Sequence, residues 1–292
     1  MLRYTLTTGL LLLSACTGAP EDAPSLTIAD VGFATPESVL HDLDADLYLV
    51  SNINGSPLGV DGNGFISRVR PDGTVDALKW IDGATEGVTL NAPKGMALVG
   101  DTLFVSDITV VRMFHRNSGA PLGERAVPGA TFLNDVAAGP DGRVYVTDSG
   151  LDSTFATTGT DALWMFVNGE AQAVIRGPAL GGPNGITVTP EGVVVVGFGT
   201  GGIIRVLPGS NVITELPTPD GGGFDGVERM GDGSLLVSSW GGQAVFRIAP
   251  DGTITAAVDS IPSPADIGWD AGRRRVLIPV FSEDRVEIRK ID

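Results

Sequence analysis

A short strand, a tight turn and a second apolar strand recur six times along this chain, and few architectures accommodate six copies of one unit. The copies open at Pro36-Glu37-Ser38-Val39, Pro93-Lys94-Gly95-Met96, Leu133-Asn134-Asp135-Val136, Pro183-Asn184-Gly185-Ile186, Phe224-Asp225-Gly226-Val227 and Pro264-Ala265-Asp266-Ile267. Turns such as Pro140-Asp141-Gly142 and Gly231-Asp232-Gly233 follow, then apolar runs such as Val144-Tyr145-Val146 and Leu235-Leu236-Val237. Asp-Gly between apolar runs is a strong hairpin signal. Most copies continue into a third strand, such as Phe65 to Val69 or Ala244 to Ile248, and a fourth, such as Thr253 to Val258. The equivalent positions 37, 94, 134, 184, 225 and 265 are 57, 40, 50, 41 and 40 residues apart, and insertions at Asn52 to Gly64 and Gly150 to Asp161 fill the two longer gaps.

Six four-stranded units of this length predict an all-β fold, a six-bladed β-propeller with antiparallel blades. The last copy ends at its third strand, Arg285 to Lys290, so Leu26 to Phe33 is expected to supply the missing fourth strand and close the ring. Closure removes an exposed sheet edge. A β-sandwich would not explain six similar units, and no long amphipathic helices alternate with the strands as a parallel α/β fold requires. The 41 glycines among 292 residues fit a chain of many tight turns.

Composition removes several functions. A net charge of -16 disfavours nucleic-acid binding, which needs cations against phosphates. One Cys excludes an internal disulfide and a Cys-based metal cluster. Two His exclude a three-His zinc site and disfavour a Ser-His-Asp triad. His41 and His115 both read as surface residues. Trp80, Trp164 and Trp269 read as packing between blades, with Trp240 as the tryptophan nearest a pocket.

One column of the repeat carries chemistry: Glu37, Lys94, Asn134, Asn184, Asp225 and Ala265. The innermost strand of every blade lines a propeller's central channel, so these positions converge on one axis. Two carboxylates and two amides make an oxygen-donor ring suited to a hard dication, Ca2+ foremost, with Mg2+, Mn2+ or Zn2+ as alternatives. Taken singly, Asn-Gly and Asp-Gly are ordinary turn dipeptides, and it is the alignment of four such residues in one column that favours a site.

With Pro36-Glu37-Ser38, Phe132-Leu133-Asn134-Asp135, Pro183-Asn184-Gly185-Ile186 and Phe224-Asp225-Gly226-Val227, the chain resembles the SMP-30/gluconolactonase/luciferin-regenerating-enzyme family of six-bladed propellers over essentially all of its length past the N-terminus. The resemblance implies one divalent metal held by Glu37, Asn184 and Asp225, with Asn134 contributing to metal or substrate. It implies hydrolysis of a small-molecule lactone or related ester, with Asp225 as metal ligand and catalytic base. Sugar-lactonase members often carry Arg two residues before the Asn, where this chain has Phe132, which points to a less polar substrate. Lys94 also departs from an all-acceptor column. It is expected either to hold an anionic substrate or to pair with Glu37 and replace the metal, with Asp135 and Asp266 offsetting its charge. A ligand-binding or scaffold propeller without turnover is the alternative. A propeller sugar dehydrogenase is disfavoured because the column offers no His as base.

Residues 1–15 have the shape of a secretory signal, with Arg3 followed by the apolar run Leu6 to Leu13. Leu13-Ser14-Ala15-Cys16 resembles a bacterial lipobox, which implies cleavage before Cys16 and acylation of it. The expected organisation is a signal at 1–15, a lipidated tether at 16–25 and the propeller at 26–292. It places a monomer outside the cytoplasm, touching a membrane through its anchor only, with the outer membrane favoured by Thr17.

Overall fold

A computed structural model describes residues 25–291 apart from Thr200 and Asn211. Cys16 and the proposed signal and most of the tether lie outside the described residues. The described residues form six four-stranded antiparallel sheets arranged as the blades of a propeller. Blade one runs outward through Pro36–Asp42, Leu47–Asn52, Phe65–Val69 and Val75–Asp82. Blades two to five repeat that order with innermost strands Pro93–Val99, Leu133–Ala138, Pro183–Thr189 and Phe224–Arg229. Blade six has Gly268–Asp270, Arg275–Val280 and Arg285–Lys290, and its fourth strand is Leu26–Ile28. Leu26 pairs with Ile288 and Ile28 with Val286, so the N-terminal strand closes the ring as the repeat predicts. Among the described residues no helix is long and apolar enough to cross a membrane.

Burial follows position in the blade. The second strand is fully enclosed, as in Val144–Asp148 and Arg275–Val280. The fourth strand faces water, as in Pro121–Ala126. Apolar clusters fill the wedges between neighbouring blades. Val39, Tyr48, Leu277 and Ile288 pack between blades six and one, and Leu49, Ile66, Met96 and Leu103 between one and two. Alternating apolar residues on both faces of each blade make this possible, because every blade is covered on two sides. Trp164 belongs to such a wedge, as the sequence suggests.

The innermost strands are not regular. In blades one to five the register against the second strand shifts at the column: between Pro36 and Ser38, Pro93 and Met96, Leu133 and Val136, Pro183 and Ile186, and Phe224 and Val227. A bulge bends the strand and re-aims its side chains. The freed peptide groups find partners in hydroxyls on the second strands. Thr147 Oγ1 accepts from the Asp135 amide at 3.0 Å and donates to the Asn184 carbonyl of the next blade at 2.6 Å. Ser238 Oγ accepts from the Gly226 amide at 2.7 Å and donates to the Ala265 carbonyl at 2.8 Å. Ser106 donates to the Asn134 carbonyl in the same way. One hydroxyl thus fixes the bulge of its own blade and the column residue of the next.

Candidate active site

Bulges held this way carry five column residues to one cavity. Glu37, Lys94, Asn134, Asn184 and Asp225 all line a cavity of about 840 Å³ at one end of the central channel. Each is at most 5% exposed. Ala265, the sixth, is apolar and fully buried.

The polar atoms of these residues are incompletely satisfied. Glu37 Oε2, Asn134 Oδ1, Asn184 Oδ1 and Asp225 Oδ1 are buried without a hydrogen-bond partner among the described residues. Buried acceptors are normally paired, so four orphans in one repeat column require a common explanation. Two of the remaining side-chain atoms are tied back to the scaffold. Trp240 Nε1 donates to Asp225 Oδ2 at 2.7 Å, which leaves Oδ1 as that carboxylate's free oxygen. Asn134 Nδ2 donates to Ser149 Oγ at 3.3 Å, and Ser149 donates to the Pro183 carbonyl at 2.6 Å.

Burial pushes the Glu37 carboxyl well above its usual range, and the charges of Asp225 and Asp266 push it further, with Lys94 opposing. Asp225 is raised by burial and by Asp266, against the indole hydrogen bond. Lys94 is lowered to about 8 by burial, with Glu37 and Asp107 pulling it back up. Nζ of Lys94 donates to the Ala92 carbonyl at 3.1 Å and sits 4.7 Å from the Phe132 ring centroid. A cation on a ring face gains from the ring quadrupole. Phe132 therefore acts as a seat for Lys94 as well as a wall of the cavity.

The donor set fits a hard dication: one free oxygen from each of two carboxylates and two amides, all on buried residues. Among the described residues no group of three or more His, Cys, Asp and Glu gathers to hold a metal, so the amides are needed to complete any such set.

Two expectations need correction. Asp135 and Asp266 do not stand beside Lys94. They line a second cavity of about 300 Å³ toward the other end of the channel, with Glu228 and His41. The residue after the column faces the opposite way, and the carboxylates act on Glu37 by repulsion. Asp135 spends its oxygens on the Ile186 and Val136 amides, and Asp266 accepts from Ser38 Oγ at 2.5 Å. His41 is not a surface residue. Its side chain is 7% exposed and stands edge-on to Tyr48 at 5.3 Å.

Trp240 lines the cavity as expected, and it belongs to a second ring whose other members the sequence did not mark. The position directly after each second strand holds Ile53, Ile108, Ser149, Phe198, Trp240 and Phe281. All but Ile108 line the 840 Å³ cavity. The same repeat alignment that finds the column finds this ring, since it is the next inward-facing position. Phe198 stands edge-on to Trp240 at 5.3 Å, and Phe281 tilts against the same indole at 5.2 Å. The Gly150 to Asp161 insertion adds Leu151, Phe155 and Thr157 to the wall, as its position suggests.

No family model matches the sequence, and no curated protein does. Solved structures with the same fold are many. The gluconolactonase XC5397 of Xanthomonas campestris superposes with a TM-score of 0.70 at 17% identity, over 93% of this chain and 91% of that one. A calcium-binding regucalcin of Agrobacterium tumefaciens gives 0.64 at 16% identity, over 92% and 94%. Virginiamycin B lyase of Staphylococcus aureus gives 0.63 at 15% identity, over 91% and 97%. One propeller shape thus serves proteins named for different activities, and the site has to carry the functional argument. By fold, the chain is a six-bladed β-propeller like the gluconolactonase and regucalcin structures.

Proposed function

We propose that this protein is a hydrolase of the lactonase type that opens a small-molecule lactone or related ester at the channel mouth with the help of one divalent cation, Ca2+ foremost. The single observation that carries the reading is the set of four unpartnered oxygens, one each from Glu37, Asn134, Asn184 and Asp225, facing one cavity. Gluconolactonase and calcium-binding structures of the same fold support it. When bound, the dication supplies Lewis-acid polarisation of the acyl carbonyl.

The protein's own groups do the rest. Asp225 Oδ1 is free and Oδ2 is held by Trp240, so Oδ1 takes the proton as water attacks the acyl carbon. The ring C–O bond breaks, and the leaving alkoxide takes the proton that Asp225 received from the water, which regenerates the carboxylate and gives the hydroxy acid. Lys94, with one hydrogen bond spent on Ala92, presents its charge to the carboxylate that ring opening creates. The cavity's apolar walls keep bulk water from competing with these contacts. A ligand-binding propeller without turnover is the second reading, favoured by the one buried cation among the acceptors, Lys94.

Chelation tests both hydrolysis and stability. A lactone panel is expected to be turned over with Ca2+ and not after chelation. Cation-free protein should also grow less stable as pH rises from 5 to 8. Carboxyls raised by burial, Glu37 and Asp225 with Asp266 at about 7, hold protons that the unfolded chain has already lost. Stability therefore falls as pH rises through that window. Lys94, lowered to about 8, loses its proton in the folded state only at the top of this window, where it offsets part of the fall. A melting temperature about 3 °C lower at pH 8 than at pH 5, recovered by Ca2+, is the expected result. Hydrolysis that survives chelation would sink the metal-dependent mechanism.

Trp240→Phe keeps the aromatic packing and removes the hydrogen bond to Asp225. Cation affinity by titration calorimetry should fall roughly 10-fold, as loss of such supporting bonds does elsewhere. An unaltered affinity would remove Trp240 from the positioning of Asp225.

Export and acylation at Cys16 belong to the same proposal and rest on Leu13-Ser14-Ala15-Cys16. Radiolabelled palmitate should enter the wild-type chain in a bacterial host and not Cys16→Ala. Equal labelling of both would exclude Cys16 as the anchor.

A further inference from the structure

We infer that the substrate carries a bulky apolar substituent and is not a polyhydroxylated sugar lactone. This rests on the lactonase reading and adds the class of molecule. The cavity has two tiers. The column forms a polar end, where the four free oxygens would hold the cation and Lys94 faces the reacting end of the substrate. The second ring and the Gly150 to Asp161 insertion form the other tier, with Phe198, Trp240 and Phe281 on one side and Phe132 and Phe155 on the other.

Sugar hydroxyls would find few partners in that upper tier. Among the described residues that line the cavity there is no Arg, Gln or His. The polar side chains that do line it are few, Ser149, Thr157 and Asp161, and two of them are partly committed: Ser149 Oγ donates to the Pro183 carbonyl, and Asp161 Oδ1 accepts from the Gly182 amide. Hydroxyls stripped of water without replacement bonds are penalised heavily, whereas methylenes and aryl rings gain on entry. Size agrees. At about 840 Å³ the cavity lies in the upper part of the range for drug-sized ligands and leaves most of its space free around a five- or six-membered lactone ring. Phe155 is 53% exposed at the rim, where it meets the far end of a long substituent.

The chemistry is that of the proposed reaction. Water adds to the acyl carbon, the ring oxygen leaves as a hydroxyl, and the product is a hydroxy acid with a long apolar arm. The substituent changes no bond; it supplies binding.

The test uses the purified protein with Ca2+ and a series of γ-lactones bearing hydrogen, ethyl, butyl and hexyl groups, beside dihydrocoumarin and glucono-δ-lactone. The expected kcat/KM rises roughly threefold per added methylene until the cavity fills, with the sugar lactone at least about 30-fold below the hexyl compound. Phe198→Ala and Phe281→Ala should each lower the hexyl-to-unsubstituted selectivity ratio about 10-fold. A flat series, or a preference for glucono-δ-lactone, overturns the substrate class and leaves the hydrolase reading standing. If no lactone is turned over, the hydrolase reading fails, and calorimetry with two stable lactams decides the cavity's preference. Tighter binding of 5-hexyl-2-pyrrolidinone than of gluconolactam upholds the apolar class. Equal or reversed affinities, or no binding of either, overturn it.

Discussion

Asp225→Asn is expected to lower lactone kcat/KM by about 10³-fold, in the range lost when a positioned base is removed. The substitution is nearly isosteric. Its amide oxygen still accepts from Trp240 Nε1, so the indole keeps the partner it has at 2.7 Å. The atom facing the cavity changes from an unpartnered oxygen to an NH2 group. That group neither takes a proton nor ligates a cation, and Ca2+ binding by calorimetry should disappear with activity. Stability moves the other way. A buried carboxylate pressed by Asp266 is removed, so the cation-free variant should melt at or above cation-free wild type, while the stabilisation wild type gains from Ca2+ is lost. An inactive variant that still binds Ca2+ with wild-type affinity would confine Asp225 to proton transfer. A fully active one would exclude it from the mechanism.

Gly185→Ala is expected to destabilise the fold by about 3 kcal/mol, the upper end for overpacking, and to lower the melting temperature by roughly 10 °C. A Cβ there would meet the Asp225 carbonyl oxygen at 2.1 Å and Gly226 Cα at 2.8 Å. Both obstacles are backbone, in the bulge of the next blade, and neither can swing aside. Gly185 follows Asn184, and the atoms it would push carry Asp225. Whatever fraction folds should therefore bind Ca2+ more weakly than wild type. Gly231→Ala is the control, since nothing lies within 4 Å of its Cβ position and its backbone is not left-handed. It should change stability by less than about 0.5 kcal/mol. Calorimetric melting of both variants checks the pair. A Gly185→Ala protein as stable as the control would contradict the close approach of the two bulges.

The column and the ring closure were legible in the sequence because both depend on repetition. Glu37, Asn134, Asn184 and Asp225 share one place in the repeat, and a propeller makes equal places converge. The strand Leu26–Ile28 was legible as the partner that Arg285–Lys290 lacked. Other features depend on local geometry that repetition does not encode. The direction of Asp135 follows from the bulge in its strand, and Asp266 of the unbulged sixth blade lines the same second cavity. His41 looks solvated beside an acidic turn, yet its strand turns it inward against Tyr48. The ring of Phe198, Trp240 and Phe281 shares one place in the repeat, but residue type varies there from Ile and Ser to Phe and Trp, so no common chemistry marks it. Trp240 alone stood out by residue type. Lys94 was visible as an anomaly, but its seat on Phe132 became clear only with the two innermost strands side by side.

If the four free oxygens hold one divalent cation, crystals grown with Mn2+ and measured at its absorption edge should show it. One anomalous peak is expected in the channel, with Glu37 Oε2, Asn134 Oδ1, Asn184 Oδ1 and Asp225 Oδ1 all at about 2.1–2.6 Å from it. A channel with no peak there, and Lys94 Nζ bonded to Glu37 in its place, would contradict that expectation.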